Sequence, residues 1–340
     1  MTNQPKYYLG IDVSKPYFDL SLMREINHIC QAMVTERFDN TLEEIKYFHQ
    51  FLKKQDVQFD ETTLLVIENT GVYHRLIWSF CSKYHLPLYI GNATHIKRSF
   101  GLVRGKNDVI DSKRLCNYAA KHADEIKATP ALNPVLLELK DLMTARSKLL
   151  RQQVTLANYL KELRLFSDKK VQQILERSHK AALAGLRESL EEVETLIKKM
   201  VNQEQSIAKN FTLISSVPGI GYLTAIYILC CTNNFSGNIT GKQLTSYAGV
   251  VPFEHSSGIS VRGKSRVHRM ANKELKTILY MCAMAAVKHY PEFRDYFERK
   301  KKEGKNGISI INAIKNKLVL RVASVVNKQK LYVDNYKIAA

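Results

Sequence analysis

Tyr7-Tyr8-Leu9-Gly10-Ile11-Asp12-Val13-Ser14-Lys15-Pro16-Tyr17-Phe18-Asp19-Leu20-Ser21-Leu22 reads as two short strands joined by a turn at Ser14 to Pro16. Alternation with aromatic and β-branched content supports the strands. Asp12 stands near the end of the first one, with apolar residues on both sides. A carboxylate at a buried strand end is costly unless a partner or a cation neutralises it. The stretch therefore predicts a cation at Asp12, and further carboxylates elsewhere in the chain that share it.

Downstream, Ile29 to Phe38 reads as a third strand, and Asn40-Thr41-Leu42-Glu43-Glu44 opens a helix through Lys54 with a polar cap and an acidic first turn. Leu64-Leu65-Val66-Ile67-Glu68 is a buried strand that ends in a carboxylate, as Ile11-Asp12 does. Asn69-Thr70-Gly71 is a turn, Val72 to Tyr84 a helix and Leu86 to Gly91 a further strand. This order predicts a mixed α/β sheet with Asp12 and Glu68 at the same edge. A helix beginning near Asp108 and running toward Ala120 sets Asp108 and Asp111 on one face. Alone, that pair reads as an N-cap and a favourable first-turn charge. With Asp12 and Glu68 it makes four acids, the oxygen set that a divalent-cation site for phosphodiester chemistry needs, where two ions roughly 3.5–4 Å apart stabilise attacking and leaving oxygens.

Between Pro130 and Phe211 strand signals cease. Leu139, Leu142, Arg146, Leu149, Gln153, Leu156, Leu160 and Leu163 recur three and four apart, as do Leu183, Leu186, Leu190, Val193, Ile197, Met200, Glu204, Ile207 and Phe211. Two heptad-like helices broken around Ser167 to Lys170 are expected, as an antiparallel hairpin or paired with another subunit. The last third opens with Val217-Pro218-Gly219-Ile220-Gly221-Tyr222, a tight turn between apolar helices. It reads as a helix-hairpin-helix whose backbone N–H groups at Gly219 and Gly221 face a phosphate, or as a plain turn between helices. Glu254-His255-Ser256-Ser257-Gly258-Ile259-Ser260 then leads to Arg262, Lys264, Arg266 and Arg269, a basic, hydroxyl-rich loop suited to gripping phosphate. A helix from Asn272 through Lys288 and a basic helical tail from Glu292 to Asn327, interrupted at Gly304 to Gly307, complete the chain. The expected domains are 1–130, 131–211 and 212–340.

The 340 residues carry 51 Lys+Arg against 32 Asp+Glu, a net charge of +19 that favours a polyanionic partner, nucleic acid before a membrane surface. Apolar runs such as Tyr222 to Cys231 fall short of the roughly 18 residues a span needs, and Met1 to Lys6 reads as no signal peptide, so a cytoplasmic protein is expected. The six cysteines form no CxxC pair and read as reduced core thiols.

The set Gly10-Ile11-Asp12-Val13-Ser14-Lys15 with Phe18-Asp19, Glu68-Asn69-Thr70-Gly71-Val72-Tyr73 and Gly105-Lys106-Asn107-Asp108-Val109-Ile110-Asp111 resembles the N-terminal domain of DEDD-type insertion-sequence transposases. Pro218-Gly219-Ile220-Gly221, Tyr247-Ala248-Gly249-Val250-Val251-Pro252 and Ser257-Gly258-Ile259-Ser260-Val261-Arg262-Gly263-Lys264-Ser265-Arg266 resemble that family's C-terminal domain, in the expected order. The resemblance implies an RNase H/RuvC-like mixed sheet, a coiled-coil arm and a mainly helical C-terminal domain. It implies Asp12, Glu68, Asp108 and Asp111 as the acidic tetrad on Mg²⁺ or Mn²⁺, and Ser257 as nucleophile, with Ser256 as a rival. It further implies DNA and a bridge RNA as partners and a homo-oligomeric synapse in which one subunit's acids meet another's serine. Pilin-gene invertases belong to the same family. Asn107 stands where threonine is common and Ser112 where alanine is common. The expectation is an RNA-guided DNA recombinase; a RuvC-like junction nuclease without a covalent step, and a non-catalytic nucleic-acid-binding scaffold, are the alternatives.

Overall fold

The structure, a computed structural model, describes residues 6–101, 107–257, 261–267 and 271–334. The chain forms two compact units, Met1–Leu132 and Asn133–Ala340.

In the first unit β1 (Lys6–Val13) and β2 (Tyr17–Ile26) form the expected hairpin. The single strand expected over Ile29 to Phe38 is two, β3 (Ile29–Cys30) and β4 (Val34–Asp39), both antiparallel to β2. The ten-residue β2 is long enough for both: β3 pairs with Glu25 and Ile26, β4 with Tyr17 through Leu22, and between them the Gln31 N–H donates to the Arg24 carbonyl at 2.8 Å. Next come α1 (Glu44–Lys54), β5 (Thr63–Glu68), α2 (Arg75–Tyr84), β6 (Leu88–Gly91), α3 (Ala93–Ser99) and α4 (Asp108–His122). β5 runs parallel to β1 and β6 parallel to β5, which makes a six-stranded mixed sheet.

Alternation divides the two faces of this sheet. Tyr7, Leu9, Ile11, Leu20, Leu65 and Ile67 pack against Phe48, Leu52, Ile77 and Phe80 of α1 and α2. Tyr8, Met23 and Val66 pack on the opposite face against Ile96, Leu115, Cys116 and Ala119 of α3 and α4. By the same alternation Gly10, Asp12, Asp19, Ser21 and Glu68 belong to the α4 face.

The helix lies directly on Gly10. A Cβ there would fall on the backbone nitrogen of Cys116 and the carbonyl oxygen of Ser112, and 2.6 Å from the carbonyl carbon of Leu115. Two buried polar contacts hold the contact in register: the Ser112 and Ser21 hydroxyls are 2.8 Å apart, and the Cys116 thiol donates to the Tyr8 carbonyl at 3.1 Å. Ser112 thus has a partner across the sheet. Asn107 caps α4, its side chain accepting from the Val109 N–H at 3.0 Å.

The second unit opens with α5 (Pro134–Leu163) and α6 (Lys169–Gln203). Arg146 pairs with Glu194 and Arg164 with Glu176, so the two run antiparallel, the first of the two expected arrangements. The apolar period that continues from α6 to Phe211 does not make one helix. Glu204 adopts an extended backbone, its carboxylate accepts from Asn133 at 3.2 Å and from Ser206 at 2.7 Å, and α7 (Gln205–Ser215) starts anew. There follow α8 (Tyr222–Cys231), α9 (Gly241–Tyr247), the hairpin β7 (Pro252–Ser257) and β8 (Val261–Val267), then α10 (Lys273–His289), α11 (Pro291–Lys302) and α12 (Gly307–Lys328). One core gathers Leu139, Ile197, Ile214, Ile228, Leu279, Ile314 and Val322. Among the described residues no helix is long and apolar enough to cross a membrane.

Gly10→Ala is expected to cost about 3 kcal/mol or more, at the upper end of overpacking penalties, because the colliding atoms are backbone rather than a side chain that can turn away. Urea denaturation of the full chain reads it as a lower midpoint.

Candidate active site

The carboxylate end of β1 and β5 is fixed by strand register. Ile11 pairs with Ile67 in parallel, so Asp12 and Glu68 are the next residues along on neighbouring strands. The α4 contact on Gly10 then carries that helix's first turn, with Asp108 and Asp111, to the same end. Asp108 is not the N-cap that its position before an apolar run suggests. Asn107 takes that role, and the Asp108 carboxylate accepts instead from the Tyr17 hydroxyl at 3.0 Å. Asp111 accepts from Arg114, one turn on, at 2.6 Å.

Asp12 reports on how closely the acids are gathered. Burial, and then the negative charges of Asp108, Asp111, Glu68 and Asp19, push its carboxyl up to about 6. Among the described residues no three of these carboxylates are drawn together closely enough to hold a metal ion as they stand. The donor set nevertheless suits a hard divalent cation, being all oxygen, and the mutual repulsion felt at Asp12 is what such a cation relieves. The α4 N-terminus adds a favourable field for negative charge.

Sequence reasoning missed the residues that hold Asp108. Asp19, buried and directly across from Arg37 in the β2–β4 pairing, accepts two hydrogen bonds from the Arg37 guanidinium, both at 2.9 Å. That guanidinium lies over the Tyr17 ring, 3.9 Å from its centroid, and Tyr17 donates to Asp108. The available signal was Asp19 itself, a carboxylate inside an otherwise apolar strand.

The other candidate residues belong to the second unit. Ser257 is the last residue of β7, its backbone paired with Val261, and Ser256 is paired with Arg262. Arg262, Lys264 and Arg266 occupy alternate positions of β8. Gly258, Ile259, Ser260 and Arg269 lie outside the described residues, as do Gly105 and Lys106. The segment leading into β7 is held firmly: Gly249 adopts φ +64 where a Cβ would strike Ala271, and Asn272 donates to the Tyr247 hydroxyl at 2.9 Å while capping α10. Gly219 is accounted for by its turn, with φ +84 and Ala286 only 2.9 Å from where a Cβ would stand. Gly221 is the N-cap residue of α8, with open space beside it.

Residues 9–164 match the family model for DEDD-type IS110 transposases, and residues 211–298 match the Transposase IS116/IS110/IS902 family. Among curated proteins the chain is 27% identical to a pilin gene-inverting protein of Moraxella lacunata, across 96% of this chain and 97% of that one. It is 33% identical to an IS110 insertion-element protein of Streptomyces coelicolor over 27% of this chain and 23% of the relative. To the transposase of IS1111A from Coxiella burnetii it is 32% identical over 22% of this chain and 21% of the relative.

Two outcomes follow from this geometry. Folded Asp12 keeps its proton up to about pH 6, whereas in the unfolded chain it loses it near 3.8, so folding stability falls as pH rises between those values. Asp12→Asn should flatten that decline in metal-free thermal melts taken from pH 4 to 7. Tyr17→Phe should leave the melting temperature within a few degrees of wild type while slowing DNA strand transfer about tenfold, since it frees Asp108 and keeps the ring beneath the Arg37 guanidinium.

Proposed function

Because this chain belongs to the IS110-type DEDD transposase family, and is a DNA transposase or recombinase, we propose that it moves its own element by Mg²⁺-dependent strand exchange through a serine-linked intermediate, guided by an RNA. The observation that carries this reading is the collection of Asp12, Glu68, Asp108 and Asp111 at one end of the sheet, close enough to raise the Asp12 carboxyl. The family's use of a divalent metal agrees with that all-oxygen set. Strand order and the helix on Gly10 are those of an RNase H/RuvC-like domain, in our reading.

In this mechanism Asp12, Glu68, Asp108 and Asp111 hold the cation, and Tyr17 and Arg37 orient Asp108. When bound, the ion supplies Lewis-acid stabilisation of charge on the reacting phosphate. Ser257 Oγ attacks the phosphorus and yields its proton to solvent, which returns one to the departing strand end. The phosphorus–oxygen bond to one strand end breaks, that end leaves as a hydroxyl, and a phosphoserine link retains the bond energy for rejoining. Attack by the hydroxyl of a different strand end reverses the step and frees Ser257. Arg262, Lys264, Arg266 and Arg269, with the turn at Gly219 and Gly221, are our candidates for phosphate contacts. The +19 charge suits a protein that holds DNA and RNA together and leaves sequence choice to base pairing.

The α5–α6 hairpin supports a coiled-coil arm for oligomerisation. Its buried residues, Leu136, Leu139 and Met143 on α5 and Leu190, Ile197 and Val201 on α6, lie away from the tip, while Leu165 and Phe166 near the tip are 77% and 87% exposed. Inversion of a DNA segment is the second reading. It is favoured by the match to the pilin gene-inverting protein over nearly the whole of both chains.

Incubation of the protein with labelled element-end DNA, Mg²⁺ and the RNA from the element's flank should give a covalent adduct on a denaturing gel. Both Ser257→Ala and Asp12→Ala should abolish it. Cleavage with no adduct in the wild type would replace this mechanism with hydrolysis by a junction nuclease.

A further inference from the structure

Lys315, in the middle of α12, is 5% exposed. Among the described residues it has neither an ion pair nor a hydrogen bond. Its ammonium lies 5.9 Å from the centroid of the Tyr280 ring, on α10. Lys276 sits four residues before Tyr280, on the same face of α10, and it is the charged neighbour whose field Lys315 feels. That charge and burial, burial first, both hold the Lys315 ammonium below the usual lysine value. Among the described residues Lys276 is thus the charge that acts on Lys315, with no acid acting beside it, and Tyr280 next to them is partly open to solvent.

The same place is the root of the hairpin that ends at Ser257. Asn312, three residues before Lys315 on α12, donates its side-chain amide to the Val250 carbonyl at 2.8 Å. The Lys276 side chain runs past Gly249, its Cδ 3.7 Å from where a Cβ would stand. Val250 and Gly249 lead straight into Pro252, where β7 begins.

We propose that Lys315 and Lys276 form a phosphate site, and that its ligand is a backbone phosphodiester of the DNA strand bound beside the β7–β8 hairpin. An anion is what the pair lacks, and a phosphodiester offers two unbridged oxygens to two ammonium groups. Lysine suits the role as a compact point charge. Lys315 lies beyond the residues matched by either family model, and the inference rests on reading this chain as a DNA recombinase.

The test uses the full chain, a 40-base-pair duplex of element-end DNA and an RNA hairpin as separate probes, with affinity measured across a salt series. Lys315→Met keeps the apolar stem and removes the charge. It should bind the duplex about tenfold more weakly, with the slope of log affinity against log salt smaller by about one, while the melting temperature of the free protein stays level or rises. Lys276→Met, at a less buried position, should show the same loss on DNA. Unchanged duplex affinity and slope in both variants would overturn the site, as would a loss confined to the RNA probe. Failure of the wild type to bind either probe would instead remove the recombinase reading on which the inference rests.

Discussion

The backbone of α4 rests on the backbone of β1 at Gly10, and the arrangement of the acidic site depends on that approach. No side chain separates the helix from the strand there, so its axis comes close enough for Ser112 to reach Ser21 and for Cys116 to reach the Tyr8 carbonyl. The first turn of the helix is thereby set toward the ends of β1 and β5, where the charges of Asp108, Asp111 and Glu68 are felt at Asp12. Burial of Asp12, and then repulsion from these like charges, opposes folding of the ionised form, as its raised carboxyl records. Apolar packing on both faces of the sheet, from Phe48 and Phe80 on one side to Leu115 and Ala119 on the other, holds them in place against that repulsion.

Much of this was legible in the sequence because the signals are local. Strict alternation from Tyr7 to Leu22 defined the hairpin, and a carboxylate closing an apolar run marked both Asp12 and Glu68. Helix capping was ambiguous: Asn107 and Asp108 are both good N-caps, and only the Tyr17 hydroxyl, 91 residues away, shows why Asp108 is spared for another role. The break at Glu204 was hidden for a similar reason. The apolar period runs through it unbroken, and the feature that opens the helix is a hydrogen bond to Asn133. Lys315 escaped notice because it sits among Ile310, Ile311, Ile314, Leu318 and Val319, where pattern alone says core and says nothing of a charge. Long-range polar contacts, rather than periodicity, account for the first two of these.

The second unit follows another logic. Its helices share one core, and the short hairpin β7–β8 is anchored at its root. Gly249, Asn272 and Asn312 each fix a backbone position just before β7. Lys276 and Lys315 stand around that root.

Central to the proposed mechanism is a divalent cation held by Asp12, Glu68, Asp108 and Asp111. Titration calorimetry of Mn²⁺ into the full chain at pH 7.5, wild type against Glu68→Gln, tests it most directly. Saturable binding that weakens at least tenfold in the variant, with no change in melting temperature of the metal-free protein beyond a few degrees, is the predicted result. Equal affinity in the two proteins would contradict it and place the metal, and with it the chemistry, elsewhere.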